Sequence, residues 1–415
     1  MTQTWTNINP NLSKWKETLK QNMIGKKLSD LRTPSLVIDR TRLERNCQQL
    51  GKITTELKIK VRVHVKTHKT LEATRIQLEG AKSDAIVVST MAEADFMINS
   101  DLVKSQLLKE VLLGFPITPD KFAEVFELSK KVPSFQIFID SIHTFELLES
   151  YVASNNETAK VNVYMKVDCG YGRAGAPLDQ DETVDLAKRL HDSSSVHFLG
   201  IYAHAGHSYA SENAESAFEY FQNECNAARA FRDLFAQHGI HIQSISIGAT
   251  PTVKALLRFM NDKNVAKILD GITEVHAGAY AFLDRQQVST GLGTFDDVVL
   301  SVACRVSSIY PSRGSILIDG GALAFSKDTA PQGGFGQLFT DLDRQEPVAA
   351  LTKIAQEHGV VANLDDNALS RFEIGKVVYV IPNHCCLTAA CHAFYLIIEE
   401  GKDTVVDVWV PVKGW

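Results

Sequence analysis

The sequence lacks any apolar run that approaches the roughly 18 residues needed to span a bilayer. Its N-terminal segment has no apolar core of the kind that a secretory signal peptide carries. It also lacks a surplus of positive charge, because 43 Lys and Arg residues stand against 49 Asp and Glu residues. We therefore expect neither a membrane nor a nucleic acid as partner, although this balance does not exclude a local anion pocket.

Cysteine is scarce and irregularly spaced, with seven residues in a chain of 415. An odd number without regular spacing argues against a disulfide framework, which is typical of small secreted domains. We therefore expect free thiols and a cytoplasmic location. Three of the seven, Cys385, Cys386 and Cys391, fall close together near the C-terminus.

Short apolar segments alternate with amphipathic helical patterns through the first two thirds of the chain. Segments of this kind occupy residues 58–65, 85–89, 110–115, 135–140, 161–168, 196–203, 242–248 and 271–278. The alternation predicts an α/β fold with a parallel sheet covered on both faces. Eight such units indicate a (β/α)8 TIM-like barrel. An open doubly wound sheet is the alternative, but HVKTHKT stands where that fold would normally have a glycine-rich turn.

The pattern changes after about residue 293, where strands and turns replace helices. This predicts a C-terminal β-domain, and we expect the early segment TPSLVID to pair with it. The predicted divisions are an N-terminal arm and pairing strand at 1–40, the barrel at 41–293 and the β-domain at 294–415. Residues 330–345 are rich in Gly, Gln and Asp and predict an exposed loop.

Lys66 follows the first predicted barrel strand, at the end where barrel enzymes place their active sites. A partly sheltered lysine can act as a nucleophile or a base. A solvated lysine at a strand terminus is the alternative.

Two glycine turns follow the seventh and eighth predicted strands, GATPT at 248–252 and HAGAY at 276–280. Backbone N–H groups at a helix N-terminus bind phosphate, and in barrels the phosphate often lies at these two loops. The pair predicts a phosphate site, with two ordinary turns as the alternative.

His384 and Cys386 stand two residues apart in PNHCCLT. In a strand their side chains point to one face and could share a Zn²⁺ ion through nitrogen and sulfur. Such a pair would leave the other coordination positions to water or substrate. A core cysteine beside a hydrogen-bonded histidine is the alternative. We expect Asp284 and Arg285, after the eighth strand, to be salt-bridged rather than catalytic.

Several strings along nearly the whole chain carry a family resemblance. They include RVHVKTHKT, KVDCGYGRAG, YAHAGHSY, GATPT, EVHAGAYAFLD and PNHCCLT. Together they resemble the eukaryotic-type D-serine dehydratases, which share a superfamily with D-threonine aldolase and alanine racemase. The resemblance implies an alanine-racemase-like, fold-type III enzyme that uses pyridoxal 5'-phosphate (PLP). It also implies a lyase that converts D-serine to pyruvate and ammonia, and a homodimer.

The resemblance also implies roles for individual residues. Lys66 would hold PLP as a Schiff base and act as the Cα base, and Zn²⁺ would activate the β-hydroxyl. The cofactor contacts would be Tyr202, Tyr209, Thr250, Gly278 and Ala279, and the metal ligands His384 and Cys386. An H-x-C pair resembles the zinc-dependent dehydratases, whereas H-x-D resembles the metal-dependent aldolases. Two positions depart from the usual pattern, because Ala249 replaces a serine and Ala277 a proline.

Other functions stay open on the sequence. D-threonine and D-threo-3-hydroxyaspartate carry the same reacting atoms as D-serine, so a D-threonine aldolase or a D-threo-3-hydroxyaspartate dehydratase is an alternative. A different class is a non-catalytic PLP-binding protein, against which the predicted β-domain counts. A barrel that binds another phosphorylated ligand is a third alternative.

Overall fold

The computed structural model describes residues 11–344 and 346–415, so the first ten residues of the N-terminal arm and Gln345 lie outside the described residues. The first strand, β1 (Ser35–Asp39), precedes the barrel and belongs to the C-terminal sheet. Its apolar residues are buried, which is why this early segment joins a sheet built mostly from distant residues.

Eight parallel strands close into a barrel in chain order. They are β2 (Lys60–His64), β3 (Ala85–Val88), β4 (Glu110–Pro116), β5 (Ser134–Ile139), β6 (Val161–Lys166), β7 (Val196–Tyr202), β8 (Ser244–Ile247) and β9 (Glu274–Ala277). Pairing of β2 with β9 completes the ring. Because most strand residues are buried on both faces, the sequence shows continuous apolar runs rather than alternation. All eight predicted barrel strands are confirmed.

Helices connect the barrel strands and cover their outer face. The helices up to the end of the barrel are α1 (Leu12–Met23), α2 (Arg40–Lys52), α3 (Leu71–Ala81), α4 (Met91–Ile98), α5 (Asp101–Lys104), α6 (Phe122–Ser129), α7 (Ile142–Asn155), α8 (Asp181–Asp192), α9 (Ala214–Gln237), α10 (Thr250–Phe259), α11 (Val265–Ile268) and α12 (Arg285–Ser289). Four of these helices begin with an N-cap side chain that accepts a backbone N–H of the first turn. The four N-cap residues are Thr70, Thr90, Ser141 and Asn213. In the part of the chain that the structure describes, no helix is both long and apolar enough to cross a membrane.

The C-terminal β-domain is a nine-stranded sheet in the order β11-β14-β13-β12-β15-β10-β1-β16-β17. Its remaining strands are β10 (Leu300–Tyr310), β11 (Ser315–Ile318), β12 (Gly336–Phe339), β13 (Ala349–Ile354), β14 (Gly359–Val361), β15 (Val377–Pro382), β16 (Tyr395–Ile398) and β17 (Asp407–Trp409). Three short helices, α13 (Ala322–Phe325), α14 (Asp366–Leu369) and α15 (Cys385–Ala390), interrupt them. Strand β1 pairs antiparallel with β10 and parallel with β16. The divisions at 1–40, 41–293 and 294–415 are retained as a proposal.

The expectation of a loop over residues 330–345 is wrong in part. Strand β12 lies inside this segment and pairs with β13 on one side and β15 on the other. The backbone hydrogen bonds of β12 are made with strands that come later in the chain, so the composition of this segment alone did not predict a strand. All seven cysteines are free, as their spacing predicted.

Candidate active site

Lys66 lies two residues beyond the end of β2, at the mouth of the barrel, and its side chain is partly buried. Within residues 11–344 and 346–415, no carboxylate forms an ion pair with its amine. Lys69 differs, because its amine lies 2.8 Å from the buried carboxylate of Glu93. Of the two lysines in this turn, Lys66 therefore has the amine that is available for chemistry.

A cavity of about 560 Å³ opens beside Lys66, between the barrel mouth and the β-domain. Several of the residues expected at a cofactor or metal site line it, namely Lys66, Tyr209, Ala279, His384 and Cys386. An adjoining cavity of about 410 Å³ is also lined by Lys66 and adds Tyr202. Thr250 and Gly278 line neither cavity, although each lies at the end of a loop that borders the barrel mouth.

Tyr202 forms part of the floor of the barrel mouth. Its ring stacks on the imidazole of His276 with centroids 3.9 Å apart. Burial holds the pKa of Tyr202 well above its usual range and that of His276 well below it. Both rings are therefore neutral and provide a flat, desolvated surface beneath the cavity.

His204 follows β7 and stands close to Lys66. Burial and then the positive charge of Lys66 lower the pKa of His204 to about 3. Its Nδ1 lies 2.8 Å from the carbonyl oxygen of Gly248, so Nδ1–H donates to that oxygen in the neutral ring. The other ring nitrogen is then an acceptor.

The two glycine turns lie side by side, because β8 and β9 are neighbours in the barrel. Gly248 has φ +147°, and a Cβ there would come within 2.2 Å of the backbone oxygen of His276. Helix α10 begins at Thr250, whose buried hydroxyl is close enough to the Tyr209 phenol for a hydrogen bond. First-turn N–H groups and a buried hydroxyl suit the phosphate of a cofactor.

His384 and Cys386 meet at the start of a helix and not along a strand. Strand β15 ends at Pro382, His384 is the N-cap of α15, and Cys386 is the second residue of that helix. The prediction of a shared strand face was therefore wrong, yet the two side chains are brought together. Burial by itself would lower the pKa of His384. Contact with Cys386 and Asp328 outweighs burial and raises this pKa to about 9.

Cys386 is surrounded by hydrogen-bond donors. The Cys385 thiol, and then His384, hold the pKa of Cys386 well below the usual range of a thiol. The Thr67 hydroxyl lies 3.0 Å from its sulfur. A stabilised thiolate beside an imidazole is a donor set that suits Zn²⁺.

Asp328 is a residue of the site that sequence reasoning missed. Its Oδ2 lies 2.5 Å from Nδ1 of His384 and also borders the cavity. A carboxylate on one ring nitrogen orients a histidine so that the other nitrogen can bind a metal. In the ranges 11–344 and 346–415, no group of three or more His, Cys, Asp or Glu side chains is arranged to hold a metal ion.

Asp284 and Arg285 are buried, but neither forms a salt bridge within the described residues. Asp284 accepts the backbone N–H groups of Gln287 and Cys385, and Arg285 donates to the carbonyl oxygen of Gly333 and to Asn383. The expectation of a salt bridge was wrong. Asp284 instead fixes the start of α15, which carries the candidate metal ligands.

Family models match most of the chain. The alanine racemase N-terminal domain matches residues 38–279, and the serine dehydratase domain matches residues 299–398. A D-serine dehydratase of Schizosaccharomyces pombe is 35% identical over 407 residues, which cover 96% of each protein. The chain belongs to the D-serine dehydratase family. Membership confirms that it is an enzyme of the lyase class, as predicted.

Other members of the superfamily agree with this placement. A D-serine dehydratase of Saccharomyces cerevisiae is 30% identical and covers 94% of this chain and 98% of its own. The solved structure of the D-threo-3-hydroxyaspartate dehydratase from Delftia sp. HT23 is 27% identical, with a TM-score of 0.83 over 94% of this chain and 100% of its own. A mutant D-threo-3-hydroxyaspartate dehydratase has been solved in a metal-free form. The predicted barrel with a C-terminal β-domain is thereby confirmed.

Proposed function

We propose that this member of the D-serine dehydratase family converts D-serine to pyruvate and ammonia, with PLP bound to Lys66 and Zn²⁺ bound to His384 and Cys386. The observation that carries the proposal is that all three side chains line one cavity. A proton must leave Cα and a hydroxide must leave Cβ in this reaction. The amine of Lys66 can take the proton from Cα, and a metal ion on His384 and Cys386 can stabilise the oxygen that leaves Cβ.

PLP, when bound, supplies an electron sink that acidifies the Cα–H bond of an amino acid. Lys66 would hold the cofactor and, once released, take the Cα proton. Tyr202 and Tyr209 would contact the cofactor, and Thr250, Gly278 and Ala279 would hold its phosphate. The side chain beside Lys66 is the neutral imidazole of His204 and not a carboxylate. It therefore forms no ion pair with the amine of Lys66, which stays free to react.

Zn²⁺, when bound, stabilises negative charge on the departing β-oxygen, since hydroxide is otherwise a poor leaving group. His384 and Cys386 would hold it, and Asp328 would orient the imidazole. Two protein ligands leave positions for water or substrate, which is an open, catalytic arrangement. The metal-free form described for a mutant D-threo-3-hydroxyaspartate dehydratase supports a metal in this superfamily.

The proposed partners are a small D-amino acid and a second copy of the chain, with no nucleic acid or membrane, in the cytoplasm. Support for a homodimer includes Phe115, which is 66% exposed and lines the smaller cavity beside Lys66. Phenylalanine is among the residues that are enriched in protein interfaces relative to the rest of the surface.

The product of the reaction tests the proposal. Pyruvate and ammonia from D-serine, and no glycine from D-threonine, are expected. Glycine would identify an aldolase, and a preference for D-threo-3-hydroxyaspartate would identify the other dehydratase. Visible cofactor absorbance without turnover of any D-amino acid would indicate the non-catalytic PLP-binding protein instead.

The cofactor lysine is tested separately by borohydride reduction and peptide mapping. We expect the label at Lys66 and none at Lys69, which is held by Glu93. In Lys66→Ala the reducible, visible cofactor should be lost. Label at another lysine in the native protein would refute the assignment.

A further inference from the structure

A second cavity lies on the flank of the barrel, away from the candidate active site. It has a volume of about 430 Å³ and lies between α2, α10 and the loop at 291–294 that leads to the β-domain. None of its lining residues lines either cavity beside Lys66. Three of them are cations, Lys52, Lys254 and Arg258.

These cations lack carboxylate partners. In the described part of the chain, none of the three forms an ion pair. Asp297 is the one carboxylate among the cavity's lining residues, and its oxygens already accept from Arg45 and from the N–H and hydroxyl of Thr294. The cavity therefore has an excess of positive charge that the protein does not neutralise.

Lys254 is the most sheltered of these cations. Burial lowers the pKa of Lys254, and the negative charge of Asp297 offsets this effect only in part. The Nζ atom of Lys254 lies 3.7 Å from the position that a Cβ on Gly293 would occupy, so the amine lies against the loop backbone. A sheltered ammonium without a carboxylate at ion-pair distance raises the free energy of the folded protein, and a bound anion would reduce that cost.

The loop adds backbone donors on the same side of the cavity. Gly291 has φ +70° and its N–H is bonded to the carbonyl oxygen of Val288. For the N–H groups of Leu292 and Gly293, which follow it, no acceptor is present among residues 11–344 and 346–415. Successive free N–H groups after a left-handed residue are typical of anion-binding loops.

We propose that this flank cavity binds the phosphate group of a small molecule. A phosphate dianion has three terminal oxygens, which can accept from ammonium, guanidinium and backbone N–H donors at once. Its charge matches the three cations opposed by a single, already engaged carboxylate. Because the loop at 291–294 joins the barrel to the β-domain, an occupant would link α2 and α10 to the domain junction.

Calorimetric titration of the purified protein with pyrophosphate tests this proposal. The intact protein should bind one equivalent per chain while its visible cofactor absorbance stays unchanged. Lys254→Met and Arg258→Met should each weaken binding about tenfold, the effect of losing one charge-assisted hydrogen bond. Lys104→Met is the matched control, because Lys104 is an exposed lysine on α5 without an ion pair among the residues that the structure describes. This variant should bind pyrophosphate as the intact protein does.

Each other result would overturn the proposal. These are absence of binding, binding by the cavity variants that is as tight as that of the intact protein, or binding that displaces the cofactor. Equally tight binding of malonate would show a dicarboxylate site rather than a phosphate site. The two variants are independent, so either one decides the question if the other fails to fold, as judged by circular dichroism.

Discussion

Asp328 Oδ2 lies 2.5 Å from His384 Nδ1, across 56 residues of chain. This contact joins the loop after α13 to the start of α15 at the edge of the cavity. It leaves the second ring nitrogen of His384 for the proposed metal.

Replacing Asp328 should therefore weaken the metal site without removing a ligand. For Asp328→Asn we expect metal affinity and pyruvate formation to fall about 10- to 100-fold, the usual effect of losing an outer carboxylate. Metal content and the rate of pyruvate formation are the measurements. Asp366→Asn, at an exposed position on α14, is the control. An Asp328→Asn protein with full metal content and full activity would show that the contact is only structural.

Removing the metal should separate the two halves of the proposed site. A chelator, or Cys386→Ser, should abolish pyruvate formation and leave the visible absorbance of the cofactor in place, because Lys66 is untouched. Readdition of Zn²⁺ should restore the chelated native protein but not Cys386→Ser. Undiminished activity after verified metal removal would eliminate the metal from the mechanism.

Glu224 gives a pH dependence whose sign follows from its environment. Its Oε1 accepts the N–H groups of Ala205 and Gly248, and burial raises the pKa of the carboxyl from 4.5 to about 7. Between pH 4.5 and about pH 7, Glu224 is protonated in the folded protein and ionised in the unfolded chain. The contribution of Glu224 to the free energy of unfolding therefore falls as the pH rises from about 4.5 through about 7.

Glu224→Gln keeps the acceptor oxygen and removes the titration. Its urea-unfolding free energy should therefore vary less between about pH 5 and about pH 8, an interval that covers most of the shifted range and extends about one unit above it. Glu219→Gln, at an exposed position of the same helix, should follow the native protein. An unchanged pH profile in Glu224→Gln would show that Glu224 is ionised at all these values.

Gly248→Ala should damage the proposed phosphate site. The added Cβ would meet the backbone oxygen of His276 at 2.2 Å, at a φ of +147° that L residues rarely adopt. We expect a loss of about 2 kcal/mol or more in unfolding free energy and weaker PLP binding. Gly239→Ala is the matched comparison, since it also has positive φ (+77°) but no atom within 4 Å. It should lose about 1 kcal/mol and retain PLP. Equal effects of the two substitutions would contradict a close approach at Gly248.

The barrel could be predicted because its strands are local and strongly apolar. Each of the eight short runs is followed by a helical pattern, and a parallel strand order follows from that alternation. Strand β12 could not be predicted, because its place in the sheet depends on β13 and β15 rather than on its own composition.

At the candidate site, residue types and their order could be read from the sequence: a lysine after the first barrel strand, two glycine turns after the last two, and a histidine and cysteine near the C-terminus. The packing of the folded chain, in contrast, makes Glu93 hold Lys69 and not Lys66, and brings Asp328 to His384. These contacts could not be predicted because their partners are far apart along the chain. Residue type and spacing specify short-range conformation, whereas a hydrogen bond between residues 56 apart depends on how the whole barrel and sheet pack around it.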